Sequence, residues 1–317
     1  MNNFQSSLLF VVASLLSPLA MADAYFDRFT ADQINDDVYV IHGPLEYPSV
    51  HNRGFMNNPA FIVTDKSVVV VDPGSTEETG EMLLKQIAKV TDKPVSHVFN
   101  THVHGDHWLA NDAIVQRFPE VKIIADPRMI KKARAGAGET WLSRMINLTD
   151  GIAKGTEIAY PANEAADGQT LELAGRTFRI YSVGTAHSGT DIMIEYVEGE
   201  TLFTGDNVVY QRIGGMDDAS FRDTIKAVEK ARSLNLKHYV PGHGPTGGVE
   251  IVDMQHEYLD TLYQQVSAHY DEGLQDFEMK PKVEQALAKF EDWSGFEDEL
   301  GKHISLAILE VEKAMFE

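Results

Sequence analysis

The chain of 317 residues contains no cysteine. Disulfides, thiolate metal ligands and cysteine nucleophiles are therefore excluded. Positive charge is scarce as well: 27 Lys and Arg face 48 Asp and Glu, a formal net charge of −21. With no basic block, the chain would be repelled by DNA or RNA at long range, and nucleic acid is not an expected partner. Long apolar runs are also missing. The longest, Leu8 to Leu16, falls well short of the roughly 20 residues that cross a bilayer. What remains, 43% hydrophobic and 24% charged, is the ordinary balance of a globular protein with a sizeable core.

The short apolar run is followed by Ser17, Pro18 and the small-x-small triplet Ala20-Met21-Ala22. This pattern predicts a signal peptide over residues 1–22, cleaved before Asp23, although residues 1–7 lack Lys and Arg. An exported protein without stable membrane insertion is expected, secreted or, in a Gram-negative source, periplasmic.

From Asp37 onward, short β-branched runs alternate with helical periodicity. Strands are expected at 38–42, 60–64, 67–71, 95–100 and 121–125, with helices at 76–90, 108–118, 127–135 and 139–147. Val68 to Val71 is apolar on both faces, as in a central strand. Strands recur at 170–173, 177–182, 192–196, 201–204 and 239–240, with a helix at 220–233. Residues 249–317 read as helices broken near Pro281 and Gly295. Strand-rich and helix-rich stretches thus occur twice, predicting a two-sheet α/β core with helices outside, a four-layer αβ/βα sandwich. The expected organisation is a catalytic domain over 23–248 and a helical C-terminal extension over 249–317. Its stripes Leu259, Leu262, Val266, Ile304, Ile308 and Val311 would dock on that domain.

The informative segment is Thr101-His102-Val103-His104-Gly105-Asp106-His107-Trp108, with three histidines and an aspartate in six residues just after a strand. His102 and His104 share a face in extended backbone, and Gly105 would allow a sharp turn that returns Asp106 and His107 to them. Imidazole and carboxylate suit zinc, iron or manganese. Four such groups beside a glycine gain nothing as core, so metal binding is the expected role. His42, His51, His97, His238, His256, His269 and His303 stand alone and read as surface or satisfied core residues.

The HxHxDH segment resembles the signature of the metallo-β-lactamase superfamily, and further motifs follow in order. Gly184 to Asp191 supplies His187, Leu202-Phe203-Thr204-Gly205-Asp206 supplies Asp206, and Val240-Pro241-Gly242-His243-Gly244 supplies His243. Asp72-Pro73-Gly74 matches an early aspartate motif. The resemblance covers roughly residues 38–245 and leaves the helical tail unexplained. It implies one metal held by His102, His104 and His187, a second by Asp106, His107 and His243, and Asp206 bridging them. Asp106 would thus belong to both the catalytic and the metal-binding set. Asp72, Asn100 and Thr101 would orient ligands.

Two zinc ions so held would lower the pKa of water to about 7 for attack on a carbonyl. The expected substrate is a small lactam, lactone or (thio)ester. Ser188 lacks the surroundings of a nucleophile elbow and reads as structural. The chain departs from zinc β-lactamases that carry cysteine where Asp206 stands, and their substrate-carboxylate lysine has no counterpart, although Arg212 could serve. Two alternatives carry weight: a mononuclear-iron persulfide dioxygenase of the same superfamily, and a non-catalytic metal-binding accessory protein of the periplasm. The loop 43–59, with Tyr47, His51, Phe55 and Met56, would cover the metals, while Trp141 reads equally well as core. A monomer or homodimer is expected.

Overall fold

The protein is described from a computed structural model covering residues 24–316. The proposed signal peptide lies outside the described residues. No helix among these residues is long and apolar enough to cross a membrane.

Seven strands form the first sheet in sequence order: β1 (Asp32–Gln33), β2 (Val38–Val40), β3 (Ala60–Val63), β4 (Val68–Val71), β5 (Val95–Phe99), β6 (Lys122–Ala125) and β7 (Asn163–Glu164). β1 to β4 pair antiparallel; β4 to β7 pair parallel. The parallel pairs need crossovers, supplied by α1 (Glu77–Val90) and by the short helices α2 (Gly105–Trp108) and α3 (Asn111–Arg117). After β6 come α4 (Pro127–Lys132), a π-turn and α5 (Gly138–Leu148). The second sheet runs β12-β11-β10-β9-β8, comprising β8 (Thr170–Leu173), β9 (Arg176–Tyr181), β10 (Met193–Tyr196), β11 (Thr201–Gly205) and β12 (His238–Pro241). Its one parallel pair, β11 with β12, is bridged by α6 (Phe221–Ser233).

Strand β4 shows why four layers form. Val69 and Val71 point between the sheets, against Phe99, Phe178, Ile194, Phe203 and Val240. Val68 and Val70 point the other way, against Met82, Leu83 and Ile87 of α1. A strand apolar on both faces has to be covered on both, and here it is. The outer face of the second sheet carries Met193, Leu202 and Tyr239, covered by α6 and by three C-terminal helices. These are α7 (Val249–Asp271), α8 (Asp276–Ala286) and α9 (Phe296–Ala314).

Two expectations are corrected. Pro281 does not break the tail; it lies inside α8, and the chain turns instead at residues 272–275, where Gly273 has φ 79°. An interior proline costs about 3 kcal/mol. Met279 and Val283 are fully buried in α8, and each such side chain is worth about 1.5–3 kcal/mol, enough to hold the helix through it. The helix expected over 108–118 is two pieces that meet at Leu109–Ala110.

Candidate metal centre

All seven proposed donors lie where strand ends of the two sheets converge, the usual place for α/β ligand sites. His102 follows β5; Asp106 and His107 ride on α2; His187 sits on the loop between β9 and β10. Asp206 follows β11, and His243 follows β12. Two donor groups result, one of His102, His104, His187 and Asp206, the other of Asp106, His107 and His243; within each, the donor atoms lie within 4.8 Å of one another. None of the seven solitary histidines belongs to either group.

Asp206 sits between the groups. Its carboxylate oxygens are 3.3 Å from His107 Nε2, 3.5 Å from His187 Nε2 and 3.3 Å from His243 Nε2. Asp106 Oδ2 is 3.3 Å from the Nε2 atoms of both His107 and His243. His104 turns Nδ1 inward, 3.0 Å from His187 Nε2, and Nε2 outward, 3.6 Å from Asp218 Oδ2.

Burial and charge act on this cluster in opposite directions. Burial, reinforced by neighbouring imidazoles, holds His102 well below the ordinary histidine range and pushes His187 down to about 3. His107 and His243 are equally buried, yet the carboxylates around them outweigh burial and raise both. Burial raises Asp106 and Asp206 too, but the adjacent imidazoles more than reverse it and hold both well below the ordinary range. Two imidazoles shifted toward the neutral form and two shifted toward the charged form thus surround the pair of carboxylates. Metal ions require such donors in their deprotonated form, so binding here would be coupled to pH.

The donor set fits metal ions on an independent observation. His102 Nε2, His107 Nε2 and Asp206 Oδ1 are buried without any hydrogen-bond partner. Orphaned buried polar atoms are costly and rare, and here they converge on one pocket. A methyl group at Gly242 would fall 1.9 Å from Asp206 Oδ1, so glycine is what admits this carboxylate.

Surrounding contacts fix the rings. Asp72 accepts from Thr101 N and Oγ1 at 2.8 and 2.6 Å and lies 2.9 Å from His107 Nδ1. Thr101 Oγ1 is 3.0 Å from His102 Nδ1, and the Met56 carbonyl is 2.8 Å from His243 Nδ1. Asn100 serves differently from expectation, exchanging side-chain hydrogen bonds with Asn111. Ser188 bonds Thr190 and Asp191 inside the His187 loop. Gly105 begins α2 with no left-handed φ; its role is space, since a Cβ would lie 2.8 Å from Trp141 Cβ.

Above the donors opens a cleft of about 630 Å³. Tyr47 and Met56 of the 43–59 loop line it, whereas Phe55 is fully buried in the core and His51 is exposed. Trp141 lines it too, 4.8 Å ring to ring from His104. Arg212 is only 3% exposed, with Nη1 at 3.1 Å from His243 Nδ1 and its guanidinium 4.8 Å from the Tyr47 ring centre. Sequence reasoning missed Asp218, Glu299 and Lys302, which also line the cleft; they carry no motif and arrive from elements remote in the chain.

Residues 52–243 match the model of the metallo-beta-lactamase superfamily. Among curated proteins, the chain is 26% identical over 198 residues to a "probable metallo-hydrolase" of Streptococcus pyogenes, covering 60% of this chain and 79% of that one. It is 21% identical over 269 residues to a metallo-beta-lactamase type 2 of Bacteroides fragilis, covering 81% and 98%. A solved metallo-beta-lactamase from Pontibacter korlensis shares the fold with TM-score 0.59 at 20% identity, over 74% of this chain and 99% of that one. With the family model spanning more than half of its length and its donor motifs gathered in one buried pocket, this chain belongs to the metallo-beta-lactamase superfamily.

Proposed function

We propose that the protein is an exported dinuclear zinc hydrolase of small lactam, lactone or (thio)ester substrates. The observation that carries this is the convergence of seven donors in two groups around Asp206, with three of their atoms buried and unpartnered. His102, His104 and His187 would hold one ion, Asp106, His107 and His243 the other, and Asp206 both. When bound, such ions supply an activated water and polarise the substrate carbonyl.

The protein's own groups do the remaining work. Asp72, Thr101 and the Met56 carbonyl set the tautomers of His107, His102 and His243 so that the inner nitrogens face the ions. The buried position of His187, which keeps its ring neutral down to about pH 3, holds it in ligand form at neutral pH. Asp106, 3.3 Å from the Nε2 atoms of both His107 and His243, is the carboxylate assigned to catalysis. The apolar N-terminal run supports export with cleavage after Ala22.

Metal quantification paired with an activity panel of lactones, thioesters and a chromogenic cephalosporin tests the proposal. Two zinc ions per chain are expected, with turnover abolished by His104→Ala and by Asp106→Ala. A single iron with oxygen uptake on persulfide would replace the hydrolase reading. Tight metal binding with no turnover across the panel would leave an accessory role.

A further inference from the structure

The cleft above the donors has two unlike walls. One is apolar. Trp141, Met145 and Leu148 occupy positions i, i+4 and i+7 of α5, one face of a helix, and share the cleft with Tyr47, Pro48 and Met56 of the 43–59 loop. Leu148 is 42% exposed and Tyr47 41%, so each of these two elements leaves a large apolar side chain in water at the cleft. Single exposed apolar residues are unremarkable on a surface, but two lining one concave site are what a ligand covers.

The other wall is charged, and its carboxylates are each paired with a cation. Lys302 Nζ lies 2.6 Å from Asp217 and 3.6 Å from Glu299. Asp218 faces Lys132 at 3.5 Å and His104 at 3.6 Å. Arg212 is covered by Tyr47, whose hydroxyl donates to Glu299 at 2.8 Å. The Arg144 guanidinium stacks 5.0 Å from the Trp141 ring centre. Around the rim, the carboxylates Asp217, Asp218 and Glu299 are thus matched by the cations Arg144, Arg212 and Lys302, leaving no excess of either sign beyond the donors.

We propose that the acyl portion of the substrate is an uncharged aliphatic or aryl group seated between α5 and the 43–59 loop. Trp141 and Leu148 determine this specificity, because a charged chain end in that apolar seat would have to shed its water. The proposal rests on the hydrolase reading of the same site, and it departs from a role for Arg212 as an anchor of substrate carboxylates.

The test uses the zinc-loaded full chain and the p-nitrophenyl esters of acetate, butyrate and hexanoate. From the transfer free energy of a methylene, kcat/KM should climb roughly two- to fourfold per added methylene, through KM. The monoester of adipate, equal in length to hexanoate but ending in a carboxylate, should be at least about tenfold poorer. Leu148→Gln, at an exposed position, should flatten the series at unchanged zinc content. Independently of turnover, quenching of tryptophan fluorescence by acetate, butyrate and hexanoate should show binding that tightens with chain length and weakens in Leu148→Gln. Chain-length-dependent binding without hydrolysis would remove the hydrolase reading and leave the acyl seat standing. Hydrolysis with a flat series, or a preference for the adipate ester, would overturn the acyl seat and leave the hydrolase reading. Neither hydrolysis nor binding would overturn both.

Discussion

Oδ2 of Asp72 lies 2.9 Å from Nδ1 of His107, while Nε2 on the far side of the same ring stands 3.3 Å from both Asp106 and Asp206. Asp72 itself is held by two hydrogen bonds from Thr101 and takes an unusual positive φ of 48°. A carboxylate so fixed keeps the proton on Nδ1 and directs the other nitrogen at the donor pocket. Asp72→Asn preserves shape and removes the charge. Metal affinity should fall by about 10- to 100-fold while the fold persists, as read by competition with a chromophoric chelator. Unchanged affinity would show that packing alone orients His107.

Gly242 and Gly301 make a contrasting pair. A Cβ at Gly242 meets Asp206 Oδ1 at 1.9 Å and the backbone of Gly205 at 2.9 Å, whereas nothing lies within 4 Å of one at Gly301 in α9. Gly242→Ala should destabilise by about 1–3 kcal/mol and reduce metal content, because Asp206 has to move. Gly301→Ala should stabilise by about 1 kcal/mol through helix propensity alone. Denaturant midpoints and metal analysis of the two variants decide the matter, and equal effects would contradict this account.

His303 is buried beneath the tail, with Nε2 3.0 Å from the Gly214 carbonyl and Nδ1 2.9 Å from the Tyr258 hydroxyl. Burial pushes its pKa down to about 4. The unfolded chain, near 6.5, then binds the proton more readily than the native one, so the contribution of His303 is whole above about pH 6.5. It is lost as the pH falls from there through 4, by about 3 kcal/mol in all. In urea denaturation of the chelated protein, the stability advantage of wild type over His303→Gln should shrink across this window. A constant gap would assign the acid sensitivity to other groups.

Removal of residues 249–317 should leave a protein that fails to fold cooperatively. Met193, Leu202 and Tyr239 of the second sheet share one buried cluster with Leu259, Leu262, Ile304 and other tail residues. Stripping the tail would expose that face to water, at about 1.5–3 kcal/mol for each large side chain, against a typical total of 5–15 kcal/mol. Loss of near-ultraviolet circular dichroism and binding of a hydrophobic dye are the expected signs. A soluble, zinc-binding 23–248 fragment with a sharp transition would show the extension to be dispensable.

Strand placement and the donor set were open to reading because each rests on local pattern. Alternation along Val68 to Val71 dictates a strand covered on both faces, and histidines spaced two apart beside an aspartate declare ligand chemistry without a fold. Pro281 misled for the opposite reason. Its local cost is real, but the burial of Met279 and Val283 in the core shared with the other C-terminal helices exceeds it. Gly105 needs no left-handed φ for its turn; it is small because Trp141, 36 positions later, occupies the space beside it.

What the sequence by itself determined is the list of groups capable of holding metal, the absence of any thiol among them, and the periodicity of the elements that carry them. Only the tertiary structure decided that Arg212 is buried under Tyr47, and that Glu299 and Lys302 reach the cleft from the far end of the chain. The reason is physical. Periodicity and ligand chemistry act over neighbouring residues, whereas the distances between side chains hundreds of positions apart are set by which apolar faces bury each other when the two sheets and the C-terminal helices pack.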